Sequence, residues 1–191
     1  MKCRNCKNKL SNLFLDLGFA PPSNSYLKKD DLNFSEKTLP LRVFVCNKCW
    51  LVQTEDYAEP RELFEFDYAY YSSVSKTWLK HAKEYANKVV KEFNLNSDSF
   101  VIEIASNDGY LLKNFLGNGI PCLGIEPAKE TADVSKKIGV PVITEFFNSK
   151  IAKEISKKRK PDLIIGNNVY AHVPDINDFT KGLKILINEN G

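Results

Sequence analysis

The stretch Ser99-Phe-Val-Ile-Glu-Ile-Ala-Ser-Asn-Asp-Gly-Tyr-Leu-Leu112 constrains this chain more than any other. Phe100 to Ile104 is a short apolar run rich in β-branched residues, and Ser106 to Gly109 is a cluster of turn formers. Leu111, Leu112 and Phe115 follow at helical spacing, so the segment reads as strand, tight turn, helix. Such a unit makes a nucleotide site. The strand delivers Glu103 at its end, the turn brings backbone N–H groups close to a ligand, and the helix N-terminus adds partial positive charge. An ordinary βα turn is the plainer reading, because Ala105 and Asn107 stand where the glycine-rich dinucleotide pattern would have glycines.

The pattern downstream favours the richer reading. Strands are expected at 100–104, 121–125, 140–143 and 163–166, and helices at 110–116, 129–138, 150–156 and 175–187. Four βα units imply an α/β fold with a parallel, Rossmann-like sheet covered by helices. Ligands of such sheets bind beyond the carboxyl ends of the strands, where strand order reverses. The residues at those ends are Glu103 to Gly109, Glu126-Pro127, Glu145-Phe-Phe147 and Gly166-Asn-Asn-Val-Tyr-Ala-His172. Glu126 follows Glu103 by 23 positions, about the spacing at which a carboxylate holds ribose hydroxyls. Cys122, within the second strand, reads as a small core residue.

Four of the five cysteines lie in the first fifty residues, as Cys3-x-x-Cys6 and Cys46-x-x-Cys49. The start of the chain has no signal-peptide pattern and no apolar run reaches the roughly 18 residues that span a bilayer. A cytoplasmic location is therefore expected. In a reducing compartment, paired C-x-x-C knuckles point to four thiolates around one structural zinc ion rather than to disulfides. The 39-residue insert between the pairs must carry its own short strands or turns, with 41–45 leading as a strand into the second knuckle.

Between zinc module and sheet lies an acidic, aromatic bridge, Leu63-Phe-Glu-Phe-Asp-Tyr-Ala-Tyr-Tyr-Ser-Ser73, and then a helix over 74–93. The bridge either glues the two parts together or covers the apolar body of a polar ligand with Tyr and Ser hydroxyls. In the helix Trp78, Leu79, Ala82, Tyr85, Ala86, Val89 and Val90 share one face, and His81 falls on the charged one. The expected division is a zinc module at 1–58, bridge and helix at 59–98, and the sheet domain at 99–191. With 43% hydrophobic and 27% charged residues the chain is globular, and its net charge of +3 is mild. Lys157-Lys-Arg-Lys160 has no interleaved aromatics and reads as a solvated helix end rather than a nucleic-acid patch.

In order along the chain, Cys3-x-x-Cys6, Leu39-Pro-Leu41, Cys46-x-x-Cys49-x-Leu-Val-Gln53, Tyr68-Ala-Tyr-Tyr-Ser-Ser73, Glu103-Ile-Ala-Ser-Asn-Asp-Gly109, Gly124-Ile-Glu-Pro127 and Asn168-Val-Tyr-Ala-His-Val173 resemble the zinc-containing, S-adenosylmethionine-dependent C-methyltransferases of nucleotide-linked keto-deoxysugars. The resemblance implies metal ligands Cys3, Cys6, Cys46 and Cys49. It places the cofactor's ribose on Glu126 and its methionine part against Ala105, Ser106, Asn107, Asp108 and Gly109. Adenine would lie near Phe146 or Phe147, with Glu103, Pro127, Asn167 and Asn168 among the cofactor contacts and Tyr68, Tyr70 and Ser73 closing over them. Methylation at carbon needs a proton removed beside a ketone and a donor for the enolate oxygen.

His172 is the candidate for the first duty, or else a structural residue capping the loop before Pro174. Tyr68 or Tyr70 serves the second, or orients the cofactor. Members of the family continue with further strands and a C-terminal domain. This chain is thus expected to be a fragment, or to have a partner chain over its open sheet edge. Two other readings stand beside this one: a zinc-ribbon RNA methyltransferase and a non-catalytic cofactor-binding module.

Overall fold

The structure, a computed structural model, describes residues 1–64 and 68–191. Glu65, Phe66 and Asp67 of the bridge lie outside the described residues. Among those described, the strands form two sheets. The first is antiparallel, in the order β1 (Asn12–Ala20), β2 (Leu39–Val45), β3 (Val52–Thr54). Two helices follow in chain order, the short α1 (Pro60–Phe64) and, after a 3-10 turn at Ser72–Val74, the long α2 (Lys76–Glu92). The hydroxyl of Ser75 caps α2 by accepting from the Trp78 N–H at 3.2 Å.

The second sheet is built from β4 (Val101–Ile104), β5 (Cys122–Ile125), β6 (Val142–Ile143) and β7 (Leu163–Ile165), all parallel, in the order β6-β5-β4-β7. They alternate with α3 (Leu112–Gly117), α4 (Lys129–Lys137), α5 (Ser149–Ser156) and α6 (Ile176–Leu186). Strand order reverses between β4 and β7, which puts the crevice at the end of β4. All four residues of β4 are buried, as a strand covered on both faces requires. Val101 packs with Ala82, Ala86 and Val89 of α2 and with Leu112 and Phe115 of α3. Ile102 and Ile104 face the other way, onto Ala152 and Ile155 of α5 and Phe179 and Leu186 of α6. Each such aliphatic side chain contributes about 1.5–3 kcal/mol by leaving water.

The eight expected elements of the sheet domain are present, with shifted ends. Helix α3 begins at Leu112 rather than Tyr110, because Gly109 has φ +78° and Asn107 φ +51°, neither of them helical. Strand β6 is two residues long rather than four. Gly139 leaves the preceding helix at φ +87° and Pro141 has no N–H to give the ladder, although its carbonyl accepts from Gly124 N–H at 2.8 Å. On α2 the expected apolar face is the packed one: Ala82, Ala86 and Val89 are buried, Trp78, Leu79, Tyr85 and Val90 half-buried, and His81 exposed. The thiol of Cys122 is buried and pushed up to about 12 by desolvation, consistent with a core residue. Among the described residues no helix is long and apolar enough to cross a membrane.

Within the first sheet the insert forms a strand of nine residues, β1, longer than the short pieces expected. It pairs with β2 across the register Asn12↔Val45 to Ala20↔Leu39, with irregularities at Leu13/Leu15 and Asp16/Phe19. Gly18 makes the second one, with φ +74° and its N–H on the Asp16 carboxylate at 2.8 Å. Bulges of this kind twist an edge strand away from further pairing.

Candidate functional site

Two knuckles with the same local chemistry build the metal cluster. Cys3 N–H donates to Asn8 O at 2.8 Å and Lys7 N–H to Cys3 O at 3.0 Å; Cys46 N–H donates to Leu51 O at 2.9 Å and Trp50 N–H to Cys46 O at 3.0 Å. In both, the residue four beyond the first cysteine takes a positive φ, 60° at Lys7 and 63° at Trp50. The second knuckle is also the turn that joins β2 to β3, where Val45 pairs with Val52.

The four sulfur atoms lie within 4.8 Å of one another. Cys3 and Cys49 Sγ are 3.6 Å apart, and Cys6 and Cys46 Sγ 3.5 Å. A tetrahedral zinc ion with Zn–S bonds of about 2.3 Å sets its sulfurs about 3.8 Å apart, so the set fits that ion. Backbone donors favour the thiolates of Cys46 and Cys49. The Cys46 thiol is lowered to about 6, first by the backbone N–H of Cys49 and then by that of Lys48, which reaches its Sγ at 3.4 Å. With four protein ligands the site keeps no open position, the pattern of a structural centre.

The second site lies at the carboxyl ends of β4 and β5. Ala105 and Asn107, which replace glycines of the usual pattern, adopt the conformations glycine would: φ is +57° and +51°. The turn is held in that shape from across the crevice. Ala105 N–H donates to Ile125 O at 2.8 Å, and Asn107 N–H to Glu126 Oε2 at 2.8 Å. Glu126 is almost fully buried, and its other oxygen accepts from Ala128 N–H at 2.9 Å. Burial raises its carboxyl above the ordinary value, and those two N–H groups pull it back. Ser106 is buried against Gly124, where a Cβ would stand 2.4 Å from the Ser106 hydroxyl oxygen.

Glu103 is fully buried, and among the described residues neither of its carboxylate oxygens has a hydrogen-bond partner. Desolvation pushes its carboxyl well above the ordinary range, opposed by the Tyr110 hydroxyl and the Asn167 amide beside it. Asn167 in turn donates to the Tyr110 hydroxyl at 3.3 Å. A buried carboxylate such as Glu103 is costly without partners. Hydroxyl donors or a cationic group arriving there would relieve that cost, which is the fit expected of a nucleoside that carries a positive charge.

The aromatic bridge is docked on this turn. Ser72 N–H donates to Asn107 Oδ1 at 2.9 Å, Ser73 N–H to Asp108 Oδ2 at 3.0 Å, and Asn107 Nδ2 donates to Tyr70 O at 3.0 Å. Tyr68 is half-buried, and its hydroxyl is raised by desolvation and then by the charges of Glu126 and Tyr70. Tyr68, Tyr70 and Ser73 are thus brought to the turn from which sequence had them closing over a ligand.

Phe147 lies elsewhere. It is buried against Phe179 at 5.0 Å between ring centres and against Gly182, inside the α5/α6 core, which leaves the half-buried Phe146 as the more accessible ring. Pro127 is half-buried beside Glu126, and Asn168 is exposed, at φ +52°. His172 sits exposed in a 3-10 turn, Tyr170–His172, after β7.

Sequence reasoning missed Tyr110, taken as the start of a helix, because nothing local pairs it with Asn167. It also missed the contacts of Arg4 and Asn177, described below. Arg159, from the basic run, lies over the Phe100 ring at 5.1 Å and donates to Asp98 O at 2.5 Å.

Residues 3–64 match the sequence family described as "Putative zinc binding domain". Over all 191 residues the chain is homologous to C-methyltransferase NovU of Streptomyces niveus, with 29% identity. The chain spans 45% of that relative's length. Solved structures that resemble it include magnesium protoporphyrin IX methyltransferase of Synechocystis PCC 6803 with bound SAM, at a TM-score of 0.47 and 14% identity over 58% of this chain and 54% of that one. The sugar N-methyltransferase KedS8 from Streptoalloteichus sp ATCC 53650 gives a TM-score of 0.45 and 13% identity, over 59% and 46%. The strand order described above stands independently of those two overlaps. A four-cysteine module that matches a zinc-binding family, followed by an α/β domain with a parallel sheet, is the organisation of this chain.

Proposed function

We propose that this chain is the zinc- and cofactor-binding portion of an S-adenosylmethionine-dependent C-methyltransferase whose acceptor is a carbon of a nucleotide-linked keto-deoxysugar. The observation that carries the reading is the joint at the strand-order reversal. The glycine-like turn after β4 is hydrogen-bonded to Glu126 after β5, and the unpartnered Glu103 lies beneath it. Homology to a C-methyltransferase supports the reaction class.

When bound, S-adenosylmethionine would supply a methyl group from its sulfonium. The residues of this chain would do the rest. Glu126 would accept from the ribose hydroxyls, the main chain of 105–109 would line the methionine part, and Phe146 would lie against the base. Tyr70 and Ser73, tied to Asn107 and Asp108, would shut water out and hold donor and acceptor in line, the alignment on which methyl transfer depends. His172 would take the proton beside the ketone, and Tyr68 or Tyr70 would donate to the enolate oxygen.

Calorimetric titration of the zinc-loaded chain with S-adenosylhomocysteine tests the cofactor site. Binding is expected, and Glu126→Ala should weaken it at least about tenfold, the loss of a hydrogen-bonded charged group. A folded, zinc-loaded chain that binds none of it overturns the proposal. Titration with a nucleotide-linked keto-deoxysugar then tests the acceptor class.

A further inference from the structure

The first cysteine knuckle touches the loop that carries His172. Arg4 and Asn5 are the two residues between Cys3 and Cys6, and both meet the segment that runs from the end of β7 into α6. The Asn177 amide donates to Asn5 O at 2.7 Å, and Arg4 Nη1 donates to Ala171 O at 3.5 Å. These contacts join positions 172 and 167 residues apart in the chain.

Arg4 is set for this task by its own surroundings. Its side chain is only 11% exposed, although the guanidinium is charged. The Asp56 carboxylate pairs with it, Thr54 O accepts from Nη2 at 3.4 Å, and its backbone N–H donates to the buried Gln53 Oε1 at 3.0 Å. A guanidinium already held through Nε and Nη2 has little rotamer freedom left to lose when Nη1 makes its contact. On the far side, the loop is held at its start by Asn167 on Tyr110 and at its end by Asp175, which accepts from Asp178 N–H at 3.1 Å and caps α6. Between those anchors lie residues 168–174, with Asn168 at φ +52° and one 3-10 turn. Arg4 supplies a hydrogen bond to the middle of that span from outside the sheet domain.

We infer that the Cys3-x-x-Cys6 knuckle is a strut for the loop after β7: the metal that closes the knuckle fixes Arg4 and Asn5, and through them the place of His172. Arg4 and Asn177 are positioning residues here, since neither is placed against a ligand. The zinc site thereby acquires a task at a distance, which is to hold an acid/base loop at the mouth of another domain. That this loop has acid/base duty rests on the function proposed above; the coupling between knuckle and loop does not.

The test uses the full chain in three states: zinc-loaded, zinc-loaded with Asn177→Ala, and chelated. The chain has two histidines, so ring-proton NMR reads His172 directly, with His81 on α2 as the internal control. In zinc-loaded Asn177→Ala, one zinc per chain is retained. The hydrogen-bonded amides of His172 and Val173 should nevertheless exchange with deuterium up to about tenfold faster, the equivalent of one hydrogen bond, and the His172 resonance should move while that of His81 stays. Chelation should produce the same two changes, while the β4 and β5 amides remain protected. Loop exchange and a His172 resonance that ignore both perturbations overturn the inference.

S-adenosylhomocysteine titration of the same samples separates the two claims. Absence of binding with an intact loop response removes the methyltransferase reading and supports the strut.

Discussion

In the parallel sheet every residue of β4 is buried, and in the antiparallel sheet eight of the nine residues of β1 are exposed. Two packed faces, one under α2 and α3 and the other under α5 and α6, hold the first. The second has a buried apolar cluster of Cys3, Leu10 and Cys46, with Cys6, Phe44, Cys49 and Leu51 packed against it. Four of those seven side chains are the clustered cysteines that could hold the ion. One sheet is therefore stabilised by burial and the other by coordination, since a module with so little apolar core draws its folding free energy from the ion. The two regions should accordingly fail under different insults.

Metal removal should give the largest difference. Structural zinc contributes on the order of 10 kcal/mol to small modules of this type. Chelation, or Cys46→Ser, should abolish amide protection in β1, β2 and β3 while β4 and β5 stay protected, as read by hydrogen exchange. Loss of protection in both sheets at once would break the comparison.

The converse experiment is Phe115→Ala. Phe115 is fully buried beneath β4, and truncation of such a ring costs about 3–5 kcal/mol. Denaturant unfolding of the parallel domain should shift by that amount while one zinc per chain is still retained.

A smaller effect, opposite in sign, is expected at Glu103. Its carboxyl titrates above its ordinary value when folded because it is buried, so the folded chain holds that proton more tightly than the unfolded one. The stability linked to this group is fully present below the unfolded value of about 4.3 and is lost as pH rises towards the folded value. Glu103→Gln should therefore stabilise the ligand-free chain, by about 1 kcal/mol at pH 8 and by less at pH 5, read by denaturant unfolding. It should also weaken binding of S-adenosylhomocysteine in the same calorimeter. An equal shift at both pH values would mean that the carboxyl is not desolvated.

The smallest expected change is at Ala105. A left-handed conformation costs a residue with a Cβ about 1–2 kcal/mol, part of which glycine returns as lost chain entropy. Ala105→Gly should stabilise the parallel domain by about 0.5–1 kcal/mol, measurable as a shift in the denaturant midpoint at constant slope.

How much of this was legible in sequence differs between the two regions for physical reasons. Strand–helix alternation was plain because β4, β5 and β7 are short apolar runs with turn formers at their ends, and a doubly covered strand has no other way to read. The knuckles were equally plain, because coordination dictates a fixed spacing. Strand β1 was not. Leu13, Phe14, Leu15, Leu17 and Phe19 are all exposed, so its apolar residues do not alternate with a buried face.

At the candidate site the order of Glu103, the turn and Glu126 was visible. The shape of the turn was hidden, because Ala105 and Asn107 take glycine's conformation under constraint from Ile125 and Glu126, 20 and 19 positions further along the chain. Phe147 could not be told from Phe146, since only tertiary packing on Phe179 separates them. The link from Arg4 to the His172 loop has no local signature at all.

Asn107 Oδ1 and Asp108 Oδ2 accept from the main-chain N–H groups of residues 72 and 73. Whatever reaches the open side of this turn is met by peptide groups and by buried carboxylate oxygens, among them Asp108 Oδ1, which has no hydrogen-bond partner among the described residues. Variation at positions 107 and 108 would consequently retune how firmly residues 70–73 are clasped to the turn, and with them the tightness of any closure over it.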